Sequence, residues 1–291
     1  MKIFIAGASG LVGGNCMHYF KSKGCDVIGT YFSYPAKDTV FYDTLNHENP
    51  ANFDIKSFAP DVIIHCGALT HVDYCEQNEA ESYQKTVEST QNLVNLSLQL
   101  NAKMVFISTD YIFDGKTGPY LEDETPNPLS LYGVHKLEAE TIVKTQVAKH
   151  LILRITNVYG DEERGKNFVS RIIDQAKNGQ KLTLKLPVDQ FATPINAFDI
   201  ARALYLLLNE EKKGIYNIAS TDYMNRVQLA QTILKYFPNA EYDLIPMRTN
   251  EMNQPAARPL QGGLKMEKFL NEYPDFAFSN VDDYVSKYLT K

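Results

Sequence analysis

The chain has 291 residues, 44% hydrophobic and 22% charged, with a formal net charge of −6. That length allows one large lobe or two modest ones around a substantial core, and the acidic balance excludes nucleic acid held by bulk electrostatics. No apolar run reaches the ~18 residues of a membrane helix, and the four cysteines, Cys16, Cys25, Cys66 and Cys75, lack the Cys-x-x-Cys spacing of a zinc site.

Met1 to Gly7 meets glycine too soon for a signal peptide, so a cytoplasmic location with reduced thiols is expected. Within it, Lys2 to Ala6 reads as a short apolar strand. It runs into Gly7-Ala8-Ser9-Gly10-Leu11-Val12-Gly13-Gly14 and a helical pattern through Phe20. Glycines at 7, 10 and 13 between a strand and a helix make a dinucleotide fingerprint. They permit a tight turn and let the backbone around Leu11 and Val12 approach a pyrophosphate on the helix N-terminus.

A second strand, Asp26 to Tyr31, is followed by Phe32-Ser33-Tyr34, without the acid that holds a ribose 2′-hydroxyl in NAD sites. Tyr31, Ser33 and Lys37 offer hydroxyl and ammonium groups instead, which favours the 2′-phosphate of NADP, although Ser33 and Lys37 also suit plain loop surface. Phe41-Tyr42-Asp43 reads as a third strand, with Asp43 able to accept from an adenine amino group. A fourth, within Pro60 to Ala68, ends in small residues, so that Gly67, Ala68 and then Thr70 leave room for a flat cofactor or simply for helix packing. One helix is expected from about Glu79 to Leu100.

The next stretch organises the chain. Met104 to Ile107 is an apolar run that stops at two hydroxyls, Ser108 and Thr109, as a buried parallel strand does when its carboxyl end delivers polar groups to the top of a sheet. A loop with Gly115, Gly118, Pro119, Pro126 and Pro128 follows, then a helix from near Ser130 that sets Tyr132 and Lys136 four residues apart on one face. A free tyrosine titrates near pH ~10 and transfers protons poorly at neutrality. An ammonium held close is expected to pull that value down. With the Thr109 hydroxyl, the pair can grip and protonate a carbonyl oxygen. A bare Tyr-x-x-x-Lys is common by chance and often just an exposed helical pair; the preceding strand and its terminal hydroxyls give this one its weight.

His150 to Val158 reads as a sixth strand, and the alternation of strands and helices predicts an α/β fold, a Rossmann-like doubly wound parallel sheet. After Gly160 the character changes. A charged loop (161–166) precedes a helix from Asn167 to Asn178, a strand from Lys181 to Leu186, a helix from Ala197 to Asn209, a strand from Gly214 to Ala219 and a helix from Leu229 to Phe237. The division expected is a dinucleotide-binding domain over 1–160 and a smaller C-terminal substrate-binding lobe over 161–291, with about 190–220 returning to the first. No acidic clustering suggests a metal ligand set.

Together these residues resemble the extended short-chain dehydrogenase/reductase superfamily and, within it, the dTDP-4-dehydrorhamnose reductase family. The likeness rests on the glycine turn, on Ser108-Thr109-Asp110-Tyr111-Ile112-Phe113-Asp114-Gly115 and on Pro128-Leu129-Ser130-Leu131-Tyr132-Gly133-x-x-Lys136. It continues through Val158-Tyr159-Gly160, Asp189-Gln190 to Thr193-Pro194, and Arg258-Pro259, so it spans nearly the whole chain. The resemblance implies reduction of the 4-keto group of a dTDP-linked 6-deoxyhexulose by NADPH, or NADH, on the way to dTDP-L-rhamnose. Tyr132 would be the proton donor, Lys136 would hold the nicotinamide ribose beside Ser108, and Thr109 would bind the reacting oxygen. Asp110, Tyr111, Asn157, Gln190 and Arg258 would face the nucleotide sugar, with Arg258 offering its planar fork to the diphosphate. The implied partner is this small molecule, and a homodimer is compatible with it. Two positions depart from the family: Asn157 stands where a tryptophan is common, which opens the identity of the sugar, and Thr86 stands where relatives carry an asparagine.

Two rival readings follow. One keeps the cofactor and makes the reaction epimerisation of a nucleotide sugar; dehydration is disfavoured because Asp110-Tyr111, rather than an acid pair, follows Thr109. The other is a non-catalytic, NADP-binding regulatory subunit resembling the methionine adenosyltransferase beta subunit.

Overall fold

The computed structural model describes residues 1–289. In chain order the first half contains β1 (Lys2–Ala6), α1 (Leu11–Ser22), β2 (Asp26–Tyr31), β3 (Thr39–Phe41), α2 (Ile55–Phe58), β4 (Val62–His65), α3 (Val72–Gln77), α4 (Glu79–Tyr83), α5 (Ser89–Gln99), β5 (Lys103–Thr109), α6 (Leu131–Gln146) and β6 (His150–Ile155). The second half adds α7 (Phe168–Lys177), β7 (Leu182–Pro187), β8 (Phe191–Ala192), α8 (Ala197–Asn209), β9 (Gly214–Asn217), β10 (Met224–Asn225), α9 (Arg226–Leu234), β11 (Tyr242–Met247), α10 (Glu267–Glu272) and α11 (Val281–Leu289).

The strands of the main sheet are unbroken apolar runs because both of its faces are covered. Alternate residues serve the two faces. Ile3, Ile5, Val27, Val105 and Leu153 pack under α1 and α8, whereas Phe4, Ile63, Met104, Phe106 and Ile152 pack under α5 and α6. Seven parallel strands run in the order β3-β2-β1-β4-β5-β6-β9. The chain winds outward from β1 to β3, then crosses back to β4 and winds the other way, so the carboxyl ends of β1 and β4 flank the crevice where α/β sheets bind ligands. The fold is thus the Rossmann-like α/β arrangement expected.

The second half both completes that sheet and builds on it. β9 pairs in parallel with β6, Leu151 opposite Gly214, and α8 packs against α1. A separate core of Val169, Ile172, Leu229, Ile233 and Val285 joins α7, α9 and α11 over the two-stranded parallel pair β7–β11. The late chain also folds back on the loop after β5: Lys265 N donates to Tyr120 O (2.8 Å) and Gln261 N to Gly115 O (2.8 Å). No helix among the described residues is long and apolar enough to cross a membrane.

Several expected elements differ. β3 covers Thr39–Phe41 and not 41–43, because Tyr42 turns inward to pack edge-on against Phe4 (4.9 Å between ring centres). The single helix expected over 79–100 is divided into α4 and α5 by a π-helical turn at Gln84–Glu88, the kind of insertion often found at functional sites. Neither α3, capped by the His71 ring, nor β11 is evident in the pattern of the sequence. α9 begins at Arg226, three residues earlier than expected, because Asn225 and Gln228 form a capping box.

Candidate active site

The glycine turn sits where the carboxyl ends of β1 and β4 meet. Gly7 has φ +87°, and a Cβ there would lie 2.8 Å from Gly67 N; one at Gly13 would lie 2.4 Å from Gly7 O. Only glycine lets this turn cross the end of β4 so closely. Gly10 caps α1 without any side-chain bond, and the first turn holds no acid, so the N–H groups around Leu11 and Val12 are left to an anion. Beyond β4, Gly67 and Ala68 are half-buried and Thr70 is exposed. Ser33 and Lys37 are exposed at the lip of the crevice, with Tyr31 half-buried against Phe41. The second lobe reaches this lip too: Glu163 Oε2 accepts from Lys37 N (3.3 Å), and the Arg164 guanidinium lies 5.0 Å from the Tyr34 ring centre. Asp43 falls beyond β3, where its Oδ1 accepts from Leu45 N (2.9 Å) and so shapes its own loop.

Thr109 closes β5 and, by accepting from Tyr111 N (3.2 Å), starts a short 3-10 turn. Ser130 caps α6 by accepting from Gly133 N (3.4 Å). A Cβ at Gly133 would lie 2.2 Å from Tyr111 O, so this glycine lets α6 settle onto the turn. The Tyr111 and Tyr132 rings therefore meet edge to face at 5.6 Å, and the Thr109 hydroxyl is in hydrogen-bond reach of the Tyr132 phenol.

One turn further, Lys136 is buried, with Nζ donating to Ile107 O (2.5 Å) and lying 4.0 Å from the Phe106 ring centre. Burial pulls the Lys136 ammonium down to about 7, against the opposing pull of Glu140. The fall expected for the Tyr132 phenol is not what the structure gives: burial pushes it up, opposed by the Thr109 hydrogen bond, while the Lys136 ammonium donates to Ile107 O.

Beneath this pair, His65 Nε2 lies 3.2 Å from Ser89 Oγ, and burial drives the imidazole down to about 3. His65 Nδ1, Ser108 Oγ and Thr86 Oγ1 are buried without a partner among the described residues. Such groups are costly unless something bonds them. Orphaned polar atoms at the strand ends, together with the uncapped glycine turn, fit a dinucleotide.

On the substrate side, Asp110, Tyr111, Asn157 and Gln190 line one small pocket with Phe191 and Arg226. Asp110 has a structural duty: its Oδ2 accepts from Thr156 Oγ1 (2.7 Å) and Gly263 N (3.0 Å), which ties β5 to the late chain. Gln190 donates to Thr249 Oγ1 and Gln254 Oε1, both at 3.0 Å. Arg258 pairs with Asp73 (2.9 Å) and donates to Ala256 O (3.0 Å), which holds its loop against α3. Arg226 is the residue that sequence reasoning missed. It donates to Asn157 Oδ1 (2.7 Å) and packs over Phe168 (5.0 Å), and an arginine opening a helix with an unrecognised start gave no signal.

A parallel sheet that reverses direction beside a glycine turn, with Tyr132 and Lys136 on the helix after a central strand ending in Ser-Thr, is the architecture of the extended short-chain dehydrogenase/reductases, and this chain is one of them. It belongs to the family described as the RmlD substrate binding domain, whose model matches residues 1–285. Methionine adenosyltransferase 2 subunit beta of Xenopus laevis is 30% identical over 276 residues, covering 92% of this chain and 81% of the relative. A dTDP-4-dehydrorhamnose reductase of Clostridium acetobutylicum superimposes with TM-score 0.85 at 30% identity over 100% of this chain and 99% of its own. The reductase of the same name from Bacillus anthracis, solved with NADP, gives TM-score 0.85 at 25% identity, covering 99% and 98% of the two chains.

Proposed function

We propose that this chain is an NADPH-dependent oxidoreductase that reduces the 4-keto group of a nucleotide-linked 4-keto-6-deoxyhexose. The observation that carries the reading is the meeting of Thr109, Tyr111 and Tyr132 at the carboxyl end of β5, with Lys136 buried one turn below. Gly7, Gly10 and Gly13, with the N–H groups at the start of α1, would hold the pyrophosphate, and Ser33 and Lys37 the 2′-phosphate. When bound, the dinucleotide supplies the hydride.

Thr109 Oγ1 accepts from Tyr111 N, and its O–H, which donates weakly to Asp110 Oδ1 (3.4 Å), would turn to the carbonyl oxygen of the substrate. Burial keeps the Tyr132 phenol protonated at neutral pH, the state required of a donor to the oxygen that becomes a hydroxyl. Lys136, anchored on Ile107 O one turn along α6, would hold the nicotinamide ribose. The Tyr111 ring, edge to face with Tyr132, helps to hold the phenol in one orientation.

The test is NADPH consumption with dTDP-4-dehydrorhamnose. The parent should turn over, while Tyr132→Phe should lose at least about 100-fold in rate with NADPH affinity unchanged. Substantial turnover in the variant would mean that another group is the acid. A second reading has support in the likeness to methionine adenosyltransferase 2 subunit beta: the chain would bind NADP as a non-catalytic partner of such an enzyme. Stable co-purification with a methionine adenosyltransferase, with no turnover on any keto-sugar, would favour it.

A further inference from the structure

The seat expected for the 2′ group of the cofactor is poor in charge on its own lobe. Between β2 and β3 the segment 32–38 holds one cation, Lys37, and one acid, Asp38, whose carboxylate lies 4.0 Å from Lys21 Nζ. The second lobe brings further charge to this turn. Its loop over 161–166 leaves Gly160 at φ +142°, a backbone that favours glycine, and is tied down along its first half. Asp161 O accepts from Asn15 Nδ2 on α1 (2.9 Å) and Asp161 Oδ1 from Tyr284 OH on α11 (2.8 Å), while Glu162 Oε1 accepts from Asn167 Nδ2 before α7 (2.9 Å). Asn15 Nδ2 also donates to Leu11 O (2.8 Å), so the loop runs beside the first turn of α1, where the pyrophosphate is expected. From these anchors Glu163 and Arg164 reach across to the β2–β3 turn. Glu163 Oε2 accepts from Lys37 N at 3.3 Å, and the Arg164 guanidinium lies 5.0 Å from the Tyr34 ring centre.

The two contacts differ in kind. A carboxylate oxygen on a backbone N–H stands where a phosphate oxygen would, and at 3.3 Å between exposed groups it is held weakly. A guanidinium over a ring uses its face and keeps the donors at its rim, a planar fork that matches phosphate oxygens. We propose that this loop reads the 2′ group of the dinucleotide, Glu163 yielding the Lys37 amide to a 2′-phosphate and Arg164 turning its fork onto that phosphate. The proposal deepens the reading of the chain as an NADPH-dependent reductase and rests on it. Glu163 repels a phosphate but can accept from a 2′-hydroxyl, so it works against NADPH and for NADH. Arg164 works the other way. Two adjacent residues thus pull cofactor choice in opposite directions, an effect that a loop with a merely structural role would not produce. The arrangement also makes the second lobe part of the cofactor site, with Glu163 and Arg164 as specificity-determining residues.

The experiment is calorimetric titration of the full chain with 2′,5′-ADP and 5′-AMP, which carry and lack the 2′-phosphate, repeated with NADPH and NADH. Arg164→Gln should weaken 2′,5′-ADP and NADPH about tenfold and leave 5′-AMP and NADH unchanged. Glu163→Gln should tighten 2′,5′-ADP and NADPH about threefold without tightening 5′-AMP or NADH. Lys166→Gln removes the same charge from the same loop as Arg164→Gln, and it should leave the preference between each pair of ligands where the parent has it. An unchanged preference in Arg164→Gln or in Glu163→Gln, or a shift in Lys166→Gln equal to that in Arg164→Gln, overturns the proposal. The reductase reading then still stands, because it is judged by turnover of a keto-sugar. Failure of the parent to bind any of the four ligands overturns both.

Discussion

Lys136 shows how burial and function oppose one another at a single residue. Its ammonium has a folded value of about 7 against an ordinary 10.5, with burial as the main cause. Between those values the unfolded chain binds a proton that the native chain does not, so this group makes stability rise with pH across that window and contributes no slope below it. Lys136→Met should abolish that rise. The check is the urea midpoint of parent and variant from pH 7 to 10, in the absence of NADPH, and parallel curves would contradict the assignment. Tyr132 is shifted in the opposite sense by the same burial, which makes it an acid in waiting and Lys136 a group poised to lose its proton. His65, driven to about 3, is neutral throughout and serves as packing and hydrogen-bond partner to Ser89.

Among the elements, α6 carries Tyr132 and Lys136 and is held at several points along its length. Ser130 starts it, Gly133 seats it on the Tyr111 carbonyl, and Glu140 pins its middle to β6 through Arg154. Glu140 and Arg154 are each 3% exposed, so removing one partner leaves a buried charge uncompensated. Glu140→Ala should therefore destabilise the protein by about 3–5 kcal/mol, measurable by urea unfolding; a loss under about 1 kcal/mol would mean that water reaches the pair. The π-helical turn between α4 and α5 is the counterpart on the neighbouring helix, since it carries Thr86, whose hydroxyl is buried and unpartnered beside the site.

At the scale of the molecule, the two halves of the chain are not separable bodies. β9 is a strand of the main sheet, Asp199 on α8 accepts from Ser279 N (2.7 Å), and Asp110 at the end of β5 accepts from Gly263 N. The first and last of these ties cross from the early chain to the late one, so the two halves share one sheet and one set of contacts. Thermal unfolding should be a single transition in which calorimetric and van't Hoff enthalpies agree. Two resolved transitions would show that the lobe around α7, α9 and α11 melts by itself.

What the sequence determined was local. The glycine turn, the strand that stops at Ser108 and Thr109, and the spacing of Tyr132 and Lys136 are each written within a few residues, because turn chemistry and helical periodicity act at that range. The parallel sheet followed from the alternation of such segments. What only the tertiary structure decided involved partners far apart in the chain. Arg226 meets Asn157 across 69 residues, and the loop carrying Arg258 is held to Asp73, whose carboxylate also takes the amide of Ala256, 183 positions away. The partner that Lys136 finds in Ile107 O and the sign of the shift on Tyr132 both depend on what is buried against what. Burial is a property of the packed chain and has no local signature in the residues that experience it.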